Sequence, residues 1–555
     1  MRGRGWAVAL VLVLGGCAQV PSSGPIVEVD QPVPEVGSSS FVRALARPPA
    51  PGMTQVEVVQ GFLDAASGFE DGHAVARQYL TEAASRTWAP DAGARVYATD
   101  TEALTSTSEQ QVSFTASQVA AISPRSQYRP APPGTTLHEQ FGLVMQGDQW
   151  RIQDVPQGLL LSRAAVERSY REFQTYYVAE PGGVLAPNPV LFASSQRDVT
   201  AGLLRSLLAG PGPWLAPAVR NAFPPGTRLD SLSSVDGVLR VGLSEEVLNA
   251  DDLARQQLSA QLVWTLRQVS GMRAVEITVA GEPLVVPEAP AVQPRTAWPE
   301  YDPDVLPAGT PWFLIRNGAI LAATDASAVE PVAGAAGLAS PPVHGPLVSL
   351  DTAALAATDY RSVLLTAQMQ PGARWRTART TGTSAGGSWD RTGLLWLPGP
   401  GSAAQVVTVL GSRPVPVPLA MVRSVQISRD GSRALVVAGP RASAQAYVLR
   451  VDRDGEIPRL GQPRALPTAP VRGAAWSSAT QVALLTKEPG QPPQVATVDL
   501  GLFSVRMLGG PPHARTVAAA PTRPLLSGTA DGQIWQFNGS TWIPLMPGRQ
   551  PRYPG

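Results

Sequence analysis

A chain of 555 residues with a single cysteine, Cys17, cannot close an internal disulfide. Its four histidines, His73, His138, His344 and His513, are far apart, and none stands in an HxH or HxxxH spacing. A metal site would have to be assembled from distant segments, so neither a metal nor a cofactor is expected. The thiol is instead a candidate for covalent modification. Carboxylates offer a second chemistry. Glycoside cleavage needs two carboxyls held about 5–9.5 Å apart, and Asp390, Asp430, Asp454 and Asp531 are the candidates in the C-terminal half. Asp430, Asp454 and Asp531 each precede glycine, however, and a turn role explains them without catalysis. The pairs Glu245-Glu246 and Asp251-Asp252 are explained by a solvated helix start. No nucleophile–base–orienter set is visible.

What surrounds Cys17 gives it a meaning. Arg2 and Arg4 make a basic start, and Trp6–Leu14 is an unbroken apolar run. That run fits the ~7–15 residues of a signal-peptide core and falls short of the ~20 needed to span a bilayer. Leu14-Gly15-Gly16-Cys17 resembles the lipobox of bacterial lipoproteins. The small glycines admit a peptidase, and the thiol takes an S-diacylglycerol. After cleavage the freed amine of Cys17 takes a further acyl chain (palmitate). Two or more chains give stable anchoring where one gives only marginal binding. Residues 1–16 are thus expected to be a discarded signal peptide. Residues 17–53, rich in Pro, Ser and Gly, are expected to be a tether. The membrane lipid is the first expected partner, on the extracytoplasmic face.

A net charge of +1 gives no field to attract nucleic acid, and none is expected as a partner. Lys487 is the only lysine, and the other basic residues are arginines without evident clustering, as codon bias in a GC-rich genome produces. The length implies several domains. Residues 54–180 begin with helical periodicity behind a Thr54/Glu57 capping box and then alternate as strands, with a turn at Gly147-Asp148. This order predicts an NTF2-like α+β domain, with Tyr79, Trp88, Phe141 and Trp150 in its core. Residues 181–290 predict a second α+β domain. It has one helix capped by Thr200 and stopped by Gly210-Pro211, and a hairpin around Asp236-Gly237. A second helix is capped by Asn249 and carries a Leu258/Leu262/Leu266/Val269 stripe. Residues 305–555 show short alternating strands with a degraded recurring element, best seen from Ile427 to Val437. They predict an all-β propeller of about five or six blades, with Trp396, Trp476, Trp535 and Trp542 packing between blades.

The second domain resembles the GerMN domain of sporulation and germination proteins. Its helix ending in L-x-G-P, its "PPGT", its "DGVLRVGLS" and its "TLRQ" helix stand in that order. The lipobox, the two α+β modules, the propeller and the terminal "PRYPG" together resemble the LpqB lipoprotein family of actinobacteria. That resemblance implies a non-enzymatic accessory lipoprotein linked to the extracytoplasmic domain of the sensor histidine kinase of the MtrAB two-component system. It implies a role in cell-wall homeostasis and division, with cell-wall components as further partners. The alternative is a glycan-binding protein, or a carboxylate-dependent hydrolase or lyase working from the propeller channel.

Overall fold

The computed structural model describes residues 47–555 apart from 69–71, 133, 182, 195, 197, 379, 381–383, 409, 410, 456 and 469. Leu14, Gly15, Gly16 and Cys17 lie outside the described residues. Among the described residues no helix is long and apolar enough to cross a membrane.

The first domain opens on helix Gln55–Ala66, whose capping box is formed. The Glu57 N–H donates to Thr54 Oγ1 (3.3 Å), and the Thr54 N–H donates to Glu57 Oε2 (2.7 Å). Val58, Val59, Phe62 and Leu63 are buried on one face, with the helix lying against a seven-stranded sheet. Strands Thr136–Gln146 and Gln149–Asp154 join through Gly147, whose φ of 60° suits the first position of a tight hairpin turn. Tyr79, Trp88 and Phe141 are buried here, and Trp150 packs half-buried at the edge of the same cluster.

Strand Tyr170–Ala179 moves the boundary expected at 180. It pairs along its length with Leu185–Ala193 and with Val219–Arg220, so the second domain starts near residue 170. Its outer edge is covered by helix Asp252–Leu266 and the turn after it, through side chains rather than another strand. The Thr265 hydroxyl accepts from the Tyr176 N–H (3.2 Å). Gln261 Nε2 donates to the Tyr176 carbonyl (2.8 Å). Gln268 donates to the Gln174 carbonyl and accepts from its N–H. An otherwise open sheet edge is thereby satisfied. Leu258, Leu262 and Leu266 are fully buried. The caps differ from expectation. Asp198, not Thr200, accepts from the Ala201 N–H (3.0 Å), and Asp251, not Asn249, accepts from the Ala254 N–H (2.8 Å). The cap is a carboxylate two residues before the expected residue in the first helix and two residues after it in the second, each meeting the free N–H. Asp236 and Gly237 both take positive φ, the two-residue turn that matches strand twist.

Among the described residues the C-terminal region is a ring of six blades, five of four strands and one, blade 4, of five. Blades 2 to 6 run in chain order from Val343, Ser388, Val422, Val471 and Ala514. Blade 1 is composite. Trp312–Arg316, Ala319–Ala323 and Val329–Pro331 form its outer three strands, and Arg549–Arg552 from the C-terminus is the innermost. The ring is therefore closed by hydrogen bonds between the two ends of the domain. Tryptophans tie neighbouring blades, as in Trp476 Nε1 to the Gln426 carbonyl (3.0 Å) and Trp542 Nε1 to the Leu508 carbonyl (3.1 Å).

Candidate functional site

The channel of the ring is the first place to look for chemistry, and the chain's own end fills it. After Arg552 the chain continues as Tyr553-Pro554-Gly555 against residues of blades 2, 3, 4, 5 and 6. Arg552, half-buried, donates to the Gly387 carbonyl (2.6 Å). Tyr553 OH donates to the Pro524 carbonyl (2.9 Å), and the Gly555 N–H donates to the Val348 carbonyl (2.9 Å). A residual cavity between the tail and the inner strands has water-accessible space of only about 30 Å³, enough for two or three waters.

Of the four aspartates, Asp390 and Asp430 are buried and Asp454 and Asp531 are exposed. Asp390 and Asp430 occupy the first hairpins of blades 3 and 4. Asp390 Oδ1 accepts from the Thr392 N–H (2.9 Å) and the Leu394 N–H (3.0 Å), and Asp390 Oδ2 accepts from Trp396 Nε1 (2.9 Å). Arg453 of blade 4 reaches the same Oδ2 at 2.7 Å in a pair almost wholly shielded from water. Burial alone would raise this carboxyl, but the Arg453 guanidinium and the Trp396 N–H outweigh it and hold Asp390 below the usual carboxylate range. Asp430 accepts from the Ser428 and Ser432 hydroxyls (2.7 Å each) and faces Arg433 at 3.4 Å. Asp454 is exposed and pairs with Arg459 at 2.5 Å, and Asp531 is exposed. The turn role expected for Asp430 extends to Asp390, which lacks the following glycine that would signal it. These bonds engage Asp390 and Asp430 in their own hairpins. Of the other carboxylates, Glu246 pairs with Arg228 (3.2 Å) and Asp251 caps its helix. The histidines stay apart, His73 against Trp88 and His344 against Tyr360. Among the described residues no three His, Cys, Asp or Glu side chains gather as a metal ion would require.

Three elements meet beside the plug. Asp304, on the segment linking the second domain to the ring, accepts from the Ala479 N–H of blade 5 (2.6 Å). Arg429 of blade 4 acts electrostatically on Asp304 and donates to the Pro554 carbonyl (2.6 Å). Burial pushes the Asp304 carboxyl up to about 7. The nearby Asp430 and Asp302 add to the shift, and the Ala479 N–H and Arg429 oppose it. A folded-state value above the ordinary one near 4 means that the folded form holds the proton more tightly. This contribution to stability is full at acid pH and is lost as pH rises from about 4 to about 7. Asp304→Asn keeps an acceptor for Ala479 and removes the charge. It is expected to melt higher than wild type at pH 8, by about 1–3 kcal/mol, with little difference at pH 4. Melting curves across that range check it.

The same face of the ring carries the other two domains. Arg433 of blade 4 donates to the Pro187 carbonyl of the second domain, and Arg450 Nη1 donates to the Trp214 carbonyl (2.6 Å). Trp214 Nε1 donates to the Gln462 carbonyl (3.0 Å). Tyr128 of the first domain stacks on Phe503 of blade 5, with centroids 6.3 Å apart. One apolar cluster runs from the first domain into blades 4 and 5, so the three modules form one block.

Family models agree with this division. The model for the N-terminal domain of lipoprotein LpqB matches residues 48–167, and the model for its β-propeller domain matches 318–554. Between them the sporulation and spore germination model matches 174–285. The chain belongs to the LpqB lipoprotein family. It is 29% identical to Lipoprotein LpqB of Thermobifida fusca (strain YX), covering 98% of this chain and 97% of that one. With the LpqB of Streptomyces coelicolor the identity is 27%, over 99% and 97%. Among solved structures, TolB from Acinetobacter baumannii is similar at 15% identity and a TM-score of 0.36, over 52% of this chain and 84% of that one. The first GerMN domain of GerM from Bacillus subtilis is similar at 21% identity and a TM-score of 0.19, over 22% and 92%. The tail that fills the ring here is the "PRYPG" segment by which the sequence resembled the LpqB family.

Proposed function

We propose that this chain is a lipid-anchored accessory protein on the outer face of the cytoplasmic membrane and that it acts by binding. The partner is the extracytoplasmic domain of a sensor histidine kinase of the MtrAB type, in the control of cell-wall homeostasis and division. The observation that carries the anchor is the sole cysteine, Cys17, at the end of a signal-type apolar run and ahead of a Pro/Ser/Gly segment. Membership of the LpqB family supports the accessory role. The engagement of Asp390 and Asp430 in hairpins and ion pairs, and the occupation of the channel by the tail, favour a binding role over channel chemistry.

A direct test is titration of the full-length protein, embedded in lipid nanodiscs, with the purified kinase ectodomain. Saturable binding of one ectodomain per lipoprotein is expected. No binding at protein concentrations up to about 100 μM, the weak end of specific association, would sink the proposal.

A further inference from the structure

The junction of the three domains encloses a cavity that none of these roles uses. Arg129 and Gln127 of the first domain, Trp214 of the second, and Arg433 and Arg464 of blade 4 line it, with Phe503 closing one side. Its water-accessible space is about 50 Å³, room for a few waters or one tetrahedral ion and too little for a sugar ring.

Four arginines gather around this space, and two are neutralised. Arg433 faces Asp430. Arg450 grips Asp452 through Nε and Nη2, the latter at 2.8 Å. The side chains of Arg464 and Arg129 have no ion-pair or hydrogen-bond partner among the described residues. The guanidinium carbon of Arg464 lies 4.2 Å from the centroid of a Trp214 ring. The indole occupies one face of the guanidinium and leaves its in-plane N–H donors for something else. Burial, followed by the like charges of Arg433, Arg129 and Arg450, pushes Arg464 down to about 9, so it stays charged at neutral pH. The acidic pair Glu172 and Asp499, beside Gly501 of the cavity wall, does not answer it. Glu172 lies behind Gly501 beside Asp499, and burial, followed by the Asp499 carboxylate, pushes the Glu172 carboxyl up to about 9. No arginine is among the groups that shift Glu172, and no carboxylate is among those that shift Arg464. A half-buried cation surrounded by like charge is costly to hold empty-handed. Guanidinium forks match the oxygens of a phosphate in geometry and charge.

We propose that the junction cavity is a receptor for one phosphate-type oxyanion, held by Arg464 and Arg129. Because its walls come from all three domains, an ion bound there also ties them together. Inorganic phosphate is the probe. It is titrated into the full-length protein in nanodiscs, with sodium chloride matched for ionic strength as the control. Saturable heat near one phosphate per chain and a rise in melting temperature absent from the chloride control are expected. Arg464→Gln should bind phosphate at least about tenfold more weakly, the loss of one charge-assisted contact. In chloride it should melt at or above wild type, because like-charge repulsion is relieved. Arg129→Gln, at an exposed position, should weaken phosphate binding without lowering the melting temperature in chloride. Glycerol 3-phosphate separates the sources: displacement of phosphate by it assigns a phosphate ester such as a lipid headgroup, and failure to displace assigns the free ion. Equal behaviour of phosphate and chloride, or unchanged phosphate affinity in both arginine variants, would overturn the proposal.

Discussion

Deletion of residues 549–555 is expected to open the propeller and destabilise it by more than about 5 kcal/mol, a fall of roughly 10–20 °C in melting temperature. The deletion removes the innermost strand of blade 1, leaving the edge of Trp312–Arg316 unpaired. It also removes the half-buried Arg552 and the buried Tyr553, with their bonds to the Gly387 and Pro524 carbonyls. Losing a buried aromatic side chain costs about 3–5 kcal/mol by itself. The outer three strands of blade 1 would keep their apolar packing against blades 2 and 6 but lose the hydrogen-bonded link that closes the ring. Calorimetry of the truncated protein checks this. A melting temperature within about 2 °C of wild type would mean that the ring does not depend on its terminal strand.

Asp390→Ala is expected to cost about 3–5 kcal/mol, the usual loss when one partner of a buried pair is removed and the other charge stays. Arg453 would keep its guanidinium in a dry site, and the Trp396 N–H and the Leu394 N–H would lose their acceptor. Two hairpins are affected together, because Asp390 belongs to blade 3 and Arg453 follows the third strand of blade 4. Asp390→Asn keeps the turn oxygen and loses the charge, so it should fall between wild type and Asp390→Ala. Denaturant titration of the three proteins decides the order. An alanine variant as stable as wild type would show that the pair is not structural, and the catalytic reading of Asp390 would return.

Local signals were readable where the chemistry is local. The capping box at Thr54 and Glu57, the Asp236-Gly237 turn and the leucine stripe of Asp252–Leu266 each involve residues within a few positions of one another. The three-module order was legible for the same reason. Three other features were not, because their partners are distant. "RQPR" at 549–552 has no strand-like alternation, and its pairing comes from Trp312–Arg316, more than 230 positions away. Strand Tyr170–Ala179 follows the short helix Arg163–Ser169 at the end of the first domain, and only its partners assign it to the second. The arginines of the junction are scattered from 129 to 464 and read as codon bias until folding gathers them. Asp390 was legible as a candidate carboxylate but not as a turn residue, since Arg391 follows it where glycine follows Asp430.

The account depends most on the claim that this three-domain block works from a lipid anchor at Cys17. Mass spectrometry of the N-terminal peptide of the membrane-extracted protein addresses it directly. The account predicts a peptide beginning at Cys17 and carrying the mass of a diacylglycerol on sulfur, with Cys17→Ser protein either uncut or released from the membrane fraction. A free, alkylatable Cys17 thiol in the mature protein, or Cys17→Ser protein still processed there and retained as a lipoprotein, would contradict it.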